Sequence, residues 1–376
     1  MPFRGVSLMD QRGAFVSAAR IAGANVRELC RTYAISPTTG YKWLDRAGVG
    51  AAGGLADRSR RPHRSPRRTA AELEAAVVAV RLEHPRWGGR KIHHFLKLER
   101  IVAPPHPNTV TDILRRHGLI DPVEALRHRP FQRFEQDAPN RLWQMDFKGH
   151  FPMAGQRCHP LTVVDDHSRY AVVLAAFANE QRHGVQAALE AAFRTYGLPE
   201  RMLMDNGPPW GTDSEHRHTR LTAWLMRLGI GPVHGRPYHP QTQGKNERFN
   251  RTLKAELIAD RSYAELAAVQ ADFDRWRAFY NHRRPHQAIG DVPPAYRFRA
   301  SERAFPERLP AIEYRTGLAI RRVQVDGRIS FASRAWFVSR AFGGQQVALQ
   351  PADRDGLFKV LFCTYRVGEI DLAKRP

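Results

Sequence analysis

Three acidic residues of the sequence stand where carboxylates can hold metal ions. Asp146 lies inside a predicted strand between apolar and aromatic neighbours, Asp205 ends another predicted strand, and Glu247 lies near the start of a predicted helix. A buried, ionised carboxylate is costly unless a cation is close to it. Carboxylates from two strand ends and a helix can converge on one side of a sheet, where their oxygens suit Mg²⁺, or Mn²⁺ in its place. Such ions can activate water or a 3′-hydroxyl for phosphoryl displacement, so the trio indicates a candidate phosphoryl-transfer site.

Other residues near these positions have competing interpretations. Asp165 and Asp166 are predicted at a turn between two strands, where Asp166 can cap the turn with its side chain. His234 and His239 precede the helix of the third acid, and we interpret them as structural or phosphate-facing, because metal-bound water needs no separate general base. Trp210 either completes the core or stacks on an unpaired base, and the pattern favours the core.

The region around the acids, residues 138–300, predicts an α/β sheet. Its apolar, β-rich runs are LWQMDFKGHF, PLTVVDDHSRYAVVLAAF and RMLMDNG, and they are interleaved with predicted helices over 181–196 and 220–228. The following segment, residues 309–372, holds short β-like runs with an Asp326-Gly327 hairpin turn. It predicts a small β-barrel.

Residues 1–49 predict a helix-turn-helix of three short helices. Asn25 can cap the second helix, and Ser36 followed by Pro37 is typical of the start of the third. The apolar contacts are assigned to Leu29, Ala34, Ile35, Tyr41 and Leu44. The third helix would then enter the major groove and present the DNA-binding candidates Thr38, Thr39, Lys42 and Arg46. A three-helix cap on a larger domain remains the alternative, because helical spacing does not show groove entry.

Residues 50–68 predict a basic linker, since they hold almost no apolar side chains after Leu55. Such a segment either follows DNA phosphates, with Arg58, Arg60 and Arg61 as candidates, or only separates two domains. Residues 69–120 predict a second helix-turn-helix. Its first helix is expected to begin with a capping box at Thr69 and Glu72. Its DNA-binding candidates are Arg90, Lys91, Asn108 and Thr109.

The composition favours a nucleic-acid partner. Lys and Arg total 59 against 37 Asp and Glu, a formal net charge of +22, which attracts a polyanion strongly. The three cysteines, Cys30, Cys158 and Cys363, are too scattered for a disulfide framework or a zinc site. No apolar run approaches the roughly 20 residues of a bilayer span, and we expect a cytoplasmic, nucleoid-associated protein without a membrane partner.

Five segments then resemble the transposases of bacterial insertion sequences, members of the DDE superfamily that also contains the retroviral integrases. They are LWQMDFKG, LTVVDDHSRYAV, LPERMLMDNGPPW, GRPYHPQTQGKNERFNRTLKAE and WRAFYNHRRPHQAIGDVPPAYR. The resemblance implies that Asp146, Asp205 and Glu247 are the catalytic acids and metal ligands. It also implies an RNase H-like core, Mg²⁺ as cofactor, and helix-turn-helix modules that recognise the element's terminal inverted repeats. The partners are double-stranded DNA and further copies of the chain, assembled on the DNA ends.

One interval departs from the family pattern. Asp205 and Glu247 are 42 positions apart, longer than is usual, and GTDSEHRHTR is the extra material. Surface loops tolerate such insertions at small entropic cost, so we expect activity to survive. In the Glu247 helix, Asn250 at i+3, Arg251 at i+4 and Lys254 at i+7 lie on or near its face. Arg251 and Lys254 are candidates for phosphate contacts; helix-surface ion pairs, for example with Glu247 and Glu256, are the alternative. A structure-specific nuclease and a non-catalytic DNA-binding regulator are the rival functions.

Overall fold

The computed structural model describes residues 7–48, 54–58, 68–120, 135–207, 209–211, 218–234 and 244–374. The chain divides into two compact units, Met1–Arg68 and Thr69–Pro376. No helix among the described residues is long and apolar enough to cross a membrane.

The first unit is a three-helix module. Its helices are α1 (Leu8–Ala19), α2 (Val26–Thr32) and α3 (Pro37–Gly48). Asn25 caps α2 by accepting the amides of Arg27 and Glu28 at 3.1 and 3.3 Å, as predicted. Gly40 is required by packing, because a Cβ there would lie 2.5 Å from the sulfur of Cys30.

Two of the apolar contacts predicted for this unit are wrong. Tyr41 is 54% exposed and Ala34 is also exposed, so neither forms the core, whose buried residues are Phe15, Val16, Cys30 and Trp43.

The structure describes residues 54–58 and 68 of the predicted linker, and the first of these pieces packs on α1. Arg12 donates to the carbonyl of Leu55 at 2.8 Å and pairs with Asp57 at 2.9 Å. Leu55 packs against the core of the first unit, although its neighbours in the sequence are mostly small or polar.

The second unit begins with another helical module, which we call the second helical module. It comprises α4 (Ala71–Glu83), α5 (Gly89–Leu98) and α6 (Pro107–Arg116). The expected capping box is absent from α4, because Ala70 occupies the cap and makes no side-chain cap hydrogen bond. Apolar packing around Val77, Trp87, Ile92 and Ile113 forms the module's core instead.

A mixed sheet follows, with helices on both faces. Its described strands and helices are β1 (Trp143–Phe147), β2 (Phe151–Met153), β3 (Gln156–Asp165), β4 (Ala171–Phe177), α7 (Arg182–Tyr196), β5 (Arg201–Met204), α8 (Arg220–Arg227), β6 (Gly231–His234), α9 (Gly244–Leu253) and α10 (Leu266–His282). The sheet order is β2-β3-β1-β5-β6, and β4 pairs with β3. Helices α7 and α8 cover one face, and α9 and α10 cover the other.

The C-terminal strands form antiparallel sheets in the region where a small β-barrel is predicted. The strands are β7 (Ala319–Arg322), β8 (Arg328–Phe331), β9 (Arg334–Phe337), β10 (Gln346–Pro351), β11 (Leu357–Phe362) and β12 (Tyr365–Asp371). Strands β12-β11-β10-β7 form one sheet and β8-β9 another. The Asp326-Gly327 turn is present, with Gly327 at a φ of 89°. It leads from one sheet to the other, however, because β7 pairs with β10 and not with β8.

Candidate active site

The pairing of β1 with β5 places the first two acids side by side. These strands are parallel, with Trp143 opposite Met202 and Gln144 opposite Leu203. Continuing this register places position 146 opposite position 205. Neighbouring strands lie about 4.8 Å apart, so the sheet itself brings Asp146 and Asp205 to one point on its edge.

Polar contacts dock helix α9, which carries Glu247, against this point. The amide of Asn246 donates to Oε1 of Gln144 at 3.3 Å, and Thr162 donates to Oδ1 of Asn246 at 3.0 Å. Nδ2 of Asn250 donates to Oδ2 of Asp146 at 3.1 Å. These bonds hold α9 over β1 and β3, with Glu247 exposed between the two asparagines.

The environment of Asp146 penalises its negative charge. Burial, followed by the charges of Asp205, Glu180 and Glu247, raises its pKa to about 7, while the hydrogen bond from Asn250 lowers it. Glu180, which also lies within hydrogen-bond distance of His159 at 2.9 Å, was not predicted from the sequence. Mutual repulsion of carboxylates is relieved by a cation, so this donor set fits a divalent metal ion.

The acids nevertheless do not form a closed ligand cage. Over the described ranges, no group of three His, Cys, Asp or Glu side chains is arranged to hold a metal ion. Asp146 and Glu247 instead line a shallow groove together with Lys148, Arg251 and Lys254. The groove therefore combines the first and third acids with basic side chains that suit a nucleic-acid backbone.

Asp205 is held in place by its own loop. Its Oδ1 accepts the amide of Gly207 at 3.1 Å and the indole N–H of Trp210. Trp210 is buried and stacks on Phe147, with ring centroids 5.4 Å apart. The core interpretation of Trp210 is therefore confirmed, with the added role of orienting Asp205. His234 lies beside the backbone carbonyl of Asp205 at 3.0 Å, and His239 lies outside the described residues.

Asp165 and Asp166 have structural roles. Asp165 accepts the amides of Ser168 and Asn140 at 2.7 and 2.8 Å. Asp166 accepts a hydrogen bond from Nε2 of Gln144 at 2.8 Å and forms an ion pair with Lys245 at the start of α9. Sequence reasoning missed this link. It fixes the start of the Glu247 helix to the turn after β3.

Four DNA-binding candidates of the first unit lie on α3. Thr38 is exposed, whereas the amide of Thr39 donates to Ser36 at 3.2 Å. The cations of Lys42 and Arg46 lie 5.1 and 5.0 Å from the ring of Trp43. Arg58 is exposed, and Arg60 and Arg61 fall outside the described residues.

The candidates of the second helical module are placed differently. Arg90 pairs with Asp291 at 2.8 Å, and the amine of Lys91 lies 5.5 Å from the ring of Trp87. Asn108 is exposed and Thr109 half-buried in the first turn of α6. Arg251 and Lys254 thus lie with the acids, whereas Lys91 is turned into an interface inside the second unit.

Comparisons with known proteins agree with this architecture. Residues 136–240 and 228–294 match two models described as integrase core domain, and residues 318–376 match the C-terminal domain of IS481 family transposases. Residues 39–114 match a homeodomain-like domain, and residues 11–63 match a helix-turn-helix domain.

Two bacterial relatives each match 62% of this chain. A 39.2 kDa protein of insertion element IS476 from Xanthomonas euvesicatoria is 27% identical over 250 residues, 62% of this chain and 68% of the relative. A 31.7 kDa protein of insertion element IS407 from Burkholderia multivorans is 29% identical over 238 residues, 62% of this chain and 82% of the relative.

Among solved structures, a chain of a simian T-cell lymphotropic virus intasome aligns with 16% identity and a TM-score of 0.39. The alignment covers 79% of this protein and 96% of the viral chain.

An RNase H-like core with integrase matches and flanking helix-turn-helix domains defines a polynucleotidyl transferase of the DDE superfamily. Within that superfamily, the chain is a bacterial insertion-sequence transposase, and it acts in DNA transposition and integration.

Proposed function

We propose that Asp146, Asp205 and Glu247 hold the divalent metal ions with which this transposase cuts element ends and joins them to target DNA. The observation that supports the proposal is the placement of the acids: the register of β1 and β5 sets positions 146 and 205 side by side, and Asn250 of the Glu247 helix donates to Asp146 at 3.1 Å. Burial, followed by the charges of Asp205, Glu180 and Glu247, raises the pKa of Asp146, as expected if the carboxylates share one site. Mg²⁺, with Mn²⁺ as a substitute, is the ion that such oxygen ligands suit.

The bound metal would activate water for cleavage, activate the freed 3′-hydroxyl for strand transfer, and stabilise the leaving oxygen. The chain's own residues have other tasks. Asn250 orients Asp146, Trp210 and Gly207 orient Asp205, and the contacts of Asn246 fix α9. Arg251 and Lys254 would neutralise the phosphates that the carboxylates repel.

The partners in this proposal are the terminal inverted repeats and a target duplex. The first unit and the second helical module would recognise the repeats, with Thr38, Lys42 and Asn108 among the exposed contacts. Further copies of the chain would assemble on the two ends. The protein would work at the bacterial nucleoid in the cytoplasm.

The test is a set of three charge-removing, shape-preserving changes: Asp146→Asn, Asp205→Asn and Glu247→Gln. Each should abolish cleavage and strand transfer while binding to element ends stays within about threefold, because metal ligation needs the negative charge. Asp260→Asn, at an exposed position beyond the π-helical turn Lys254–Ile258 that follows α9, is the matched control and should remain active. Substantial strand transfer by one of the three variants would remove that residue from the site.

The same assays separate the rivals. A structure-specific nuclease would cut DNA but join no 3′-hydroxyl to a target. A non-catalytic regulator would bind the ends and never cut them in the presence of metal.

A further inference from the structure

The helix that carries Glu247 does not end as a regular α-helix. It continues as a π-helix over Lys254–Ile258, where the amide of Ala259 donates to the carbonyl of Lys254 at 2.9 Å. Such turns are frequent at functional sites. Glu256 lies in this segment, nine positions after Glu247. Nine residues are about two and a half helical turns, so Glu256 lies on roughly the opposite side of the helix axis.

Glu256 accepts hydrogen bonds from two different parts of the second unit. Nε of Arg284 donates to its two oxygens at 3.1 and 3.0 Å, and Nη2 of Arg284 donates at 2.7 Å. The indole N–H of Trp87 donates to Oε1 at 3.1 Å. Arg284 follows α10, whereas Trp87 belongs to the second helical module. One carboxylate therefore joins that module to the catalytic helix.

An aromatic stack supports the Trp87 side of this contact. The ring of His84 lies 4.0 Å from that of Trp87 and 5.0 Å from that of Phe279 in α10. Trp87 is fully buried, so its N–H needs a protein partner. Two ion pairs also connect the second helical module to the chain after α10. Arg90 pairs with Asp291, and Glu99 pairs with Arg283.

The charges of the contact favour an ionised Glu256. Burial alone would raise its pKa, but Arg284 and Lys91 outweigh burial and hold that pKa below its usual value. Burial and the charge of Arg284 lower the pKa of Lys91 to about 7. A buried carboxylate of this kind is sensitive to the loss of any one donor, because no water replaces it.

We propose that Glu256 is a positioning residue through which Trp87 of the second helical module fixes the helix that presents Glu247 to the DNA. The inference rests on the proposed function, since it assumes that Glu247 acts at the reacting phosphate. The second helical module is then part of the catalytic apparatus in addition to any contact it makes with DNA. A shift of its docking moves the catalytic helix.

The experiment is Trp87→Phe in the full-length protein, which keeps an aromatic ring in the stack and removes the N–H donor. The rate constant for strand transfer at saturating DNA should fall about tenfold, as expected from one hydrogen bond to a charged group. The Kd for element-end DNA should change less than twofold. The matched control is Trp336→Phe, because Trp336 is also buried and its N–H donates at 3.1 Å, to the carbonyl of Phe331 in the C-terminal sheet. That variant should keep the parental rate.

Hydrogen exchange provides a readout that does not depend on catalysis. Amides of residues 250–259 should exchange several-fold faster in Trp87→Phe than in the parent or in Trp336→Phe. Equal exchange and equal rates in the two variants would overturn the positioning role. If Asp146→Asn remained active, the proposed function would fail, yet faster exchange in Trp87→Phe would still establish the mechanical link.

Discussion

Burial and neighbouring carboxylates change the protonation of Asp146. Its folded-state pKa of about 7 lies above the ordinary value of 3.8. Between these values the folded protein holds a proton that the unfolded chain releases. The contribution of Asp146 to stability is therefore present at low pH and is lost as the pH rises through about 7.

The loss of stability with rising pH can be tested on protein that a chelator keeps free of metal. Asp146→Asn should be more stable than the parent at pH 8 by up to roughly 4 kcal/mol, because it removes a buried charge. The advantage should shrink as the pH falls below about 7 and approach zero near pH 4, where the unfolded chain also holds the proton. Thermal melts at the two pH values measure it, and adding Mg²⁺ should stabilise the parent more than the variant.

Asp260→Asn, at an exposed position, is the control and should keep the parental melting temperature at pH 8. Identical melting temperatures of the parent and Asp146→Asn at pH 8 would contradict the buried-charge account.

Residue types and motifs predict the three acids, whereas most of the side chains that contact them in the structure are not predicted. Asn246 and Asn250 flank Glu247 on α9, and of these two asparagines helical spacing places only Asn250 on the Glu247 face. Their partners, Gln144 and Asp146, are about a hundred positions away in the chain. Contacts of that separation depend on how the helix crosses the sheet, which periodicity does not encode.

At the scale of the element, the groove face of α9 has a function that can be tested. Arg251 and Lys254 line the groove beside Asp146, and neither forms an ion pair within the described part of the chain. Glu256, the expected partner in a helix-surface pair, binds Arg284 instead. The predicted alternative of surface ion pairs is therefore not what the helix forms.

The double change Arg251→Ala with Lys254→Ala should lower strand transfer at least tenfold, because two phosphate contacts beside the acids are lost. Melting temperature and metal affinity should stay near those of the parent. The charge-matched control is Arg308→Ala with Arg315→Ala, two exposed positions outside the groove. Equal activity of the two double variants would exclude a phosphate role.

Local chemistry predicts the starts of α2 and α3 but not the cap of α4, and it does not predict which distant strands pair. Asn25 caps α2 and Pro37 opens α3 as expected, because caps act within one turn. The Asp326-Gly327 turn was also found, yet β7 takes β10 as its partner. A turn sequence specifies a reversal of the chain and leaves open which strand then pairs with which.

At the scale of the whole molecule, positive charge dominates. The formal net charge is +22, and basic side chains lie on α3, at the groove and along the C-terminal sheet. We predict that affinity for unrelated DNA falls about a thousandfold between 50 and 200 mM salt, as for a protein that neutralises six or more phosphates. A titration by fluorescence anisotropy measures the slope. A loss below tenfold would mean that few of these charges contact DNA.

The division of the chain after Arg68 also bears on how such proteins diversify. The first unit packs around its own four buried residues, Phe15, Val16, Cys30 and Trp43. The second helical module instead shares Trp87, Glu99 and Arg90 with partners in the catalytic region. Recombination with a junction near Thr69 exchanges the first unit and leaves the catalytic contacts intact. A junction after α6 separates side chains that must be inherited together, so the two DNA-reading modules are expected to evolve at different rates.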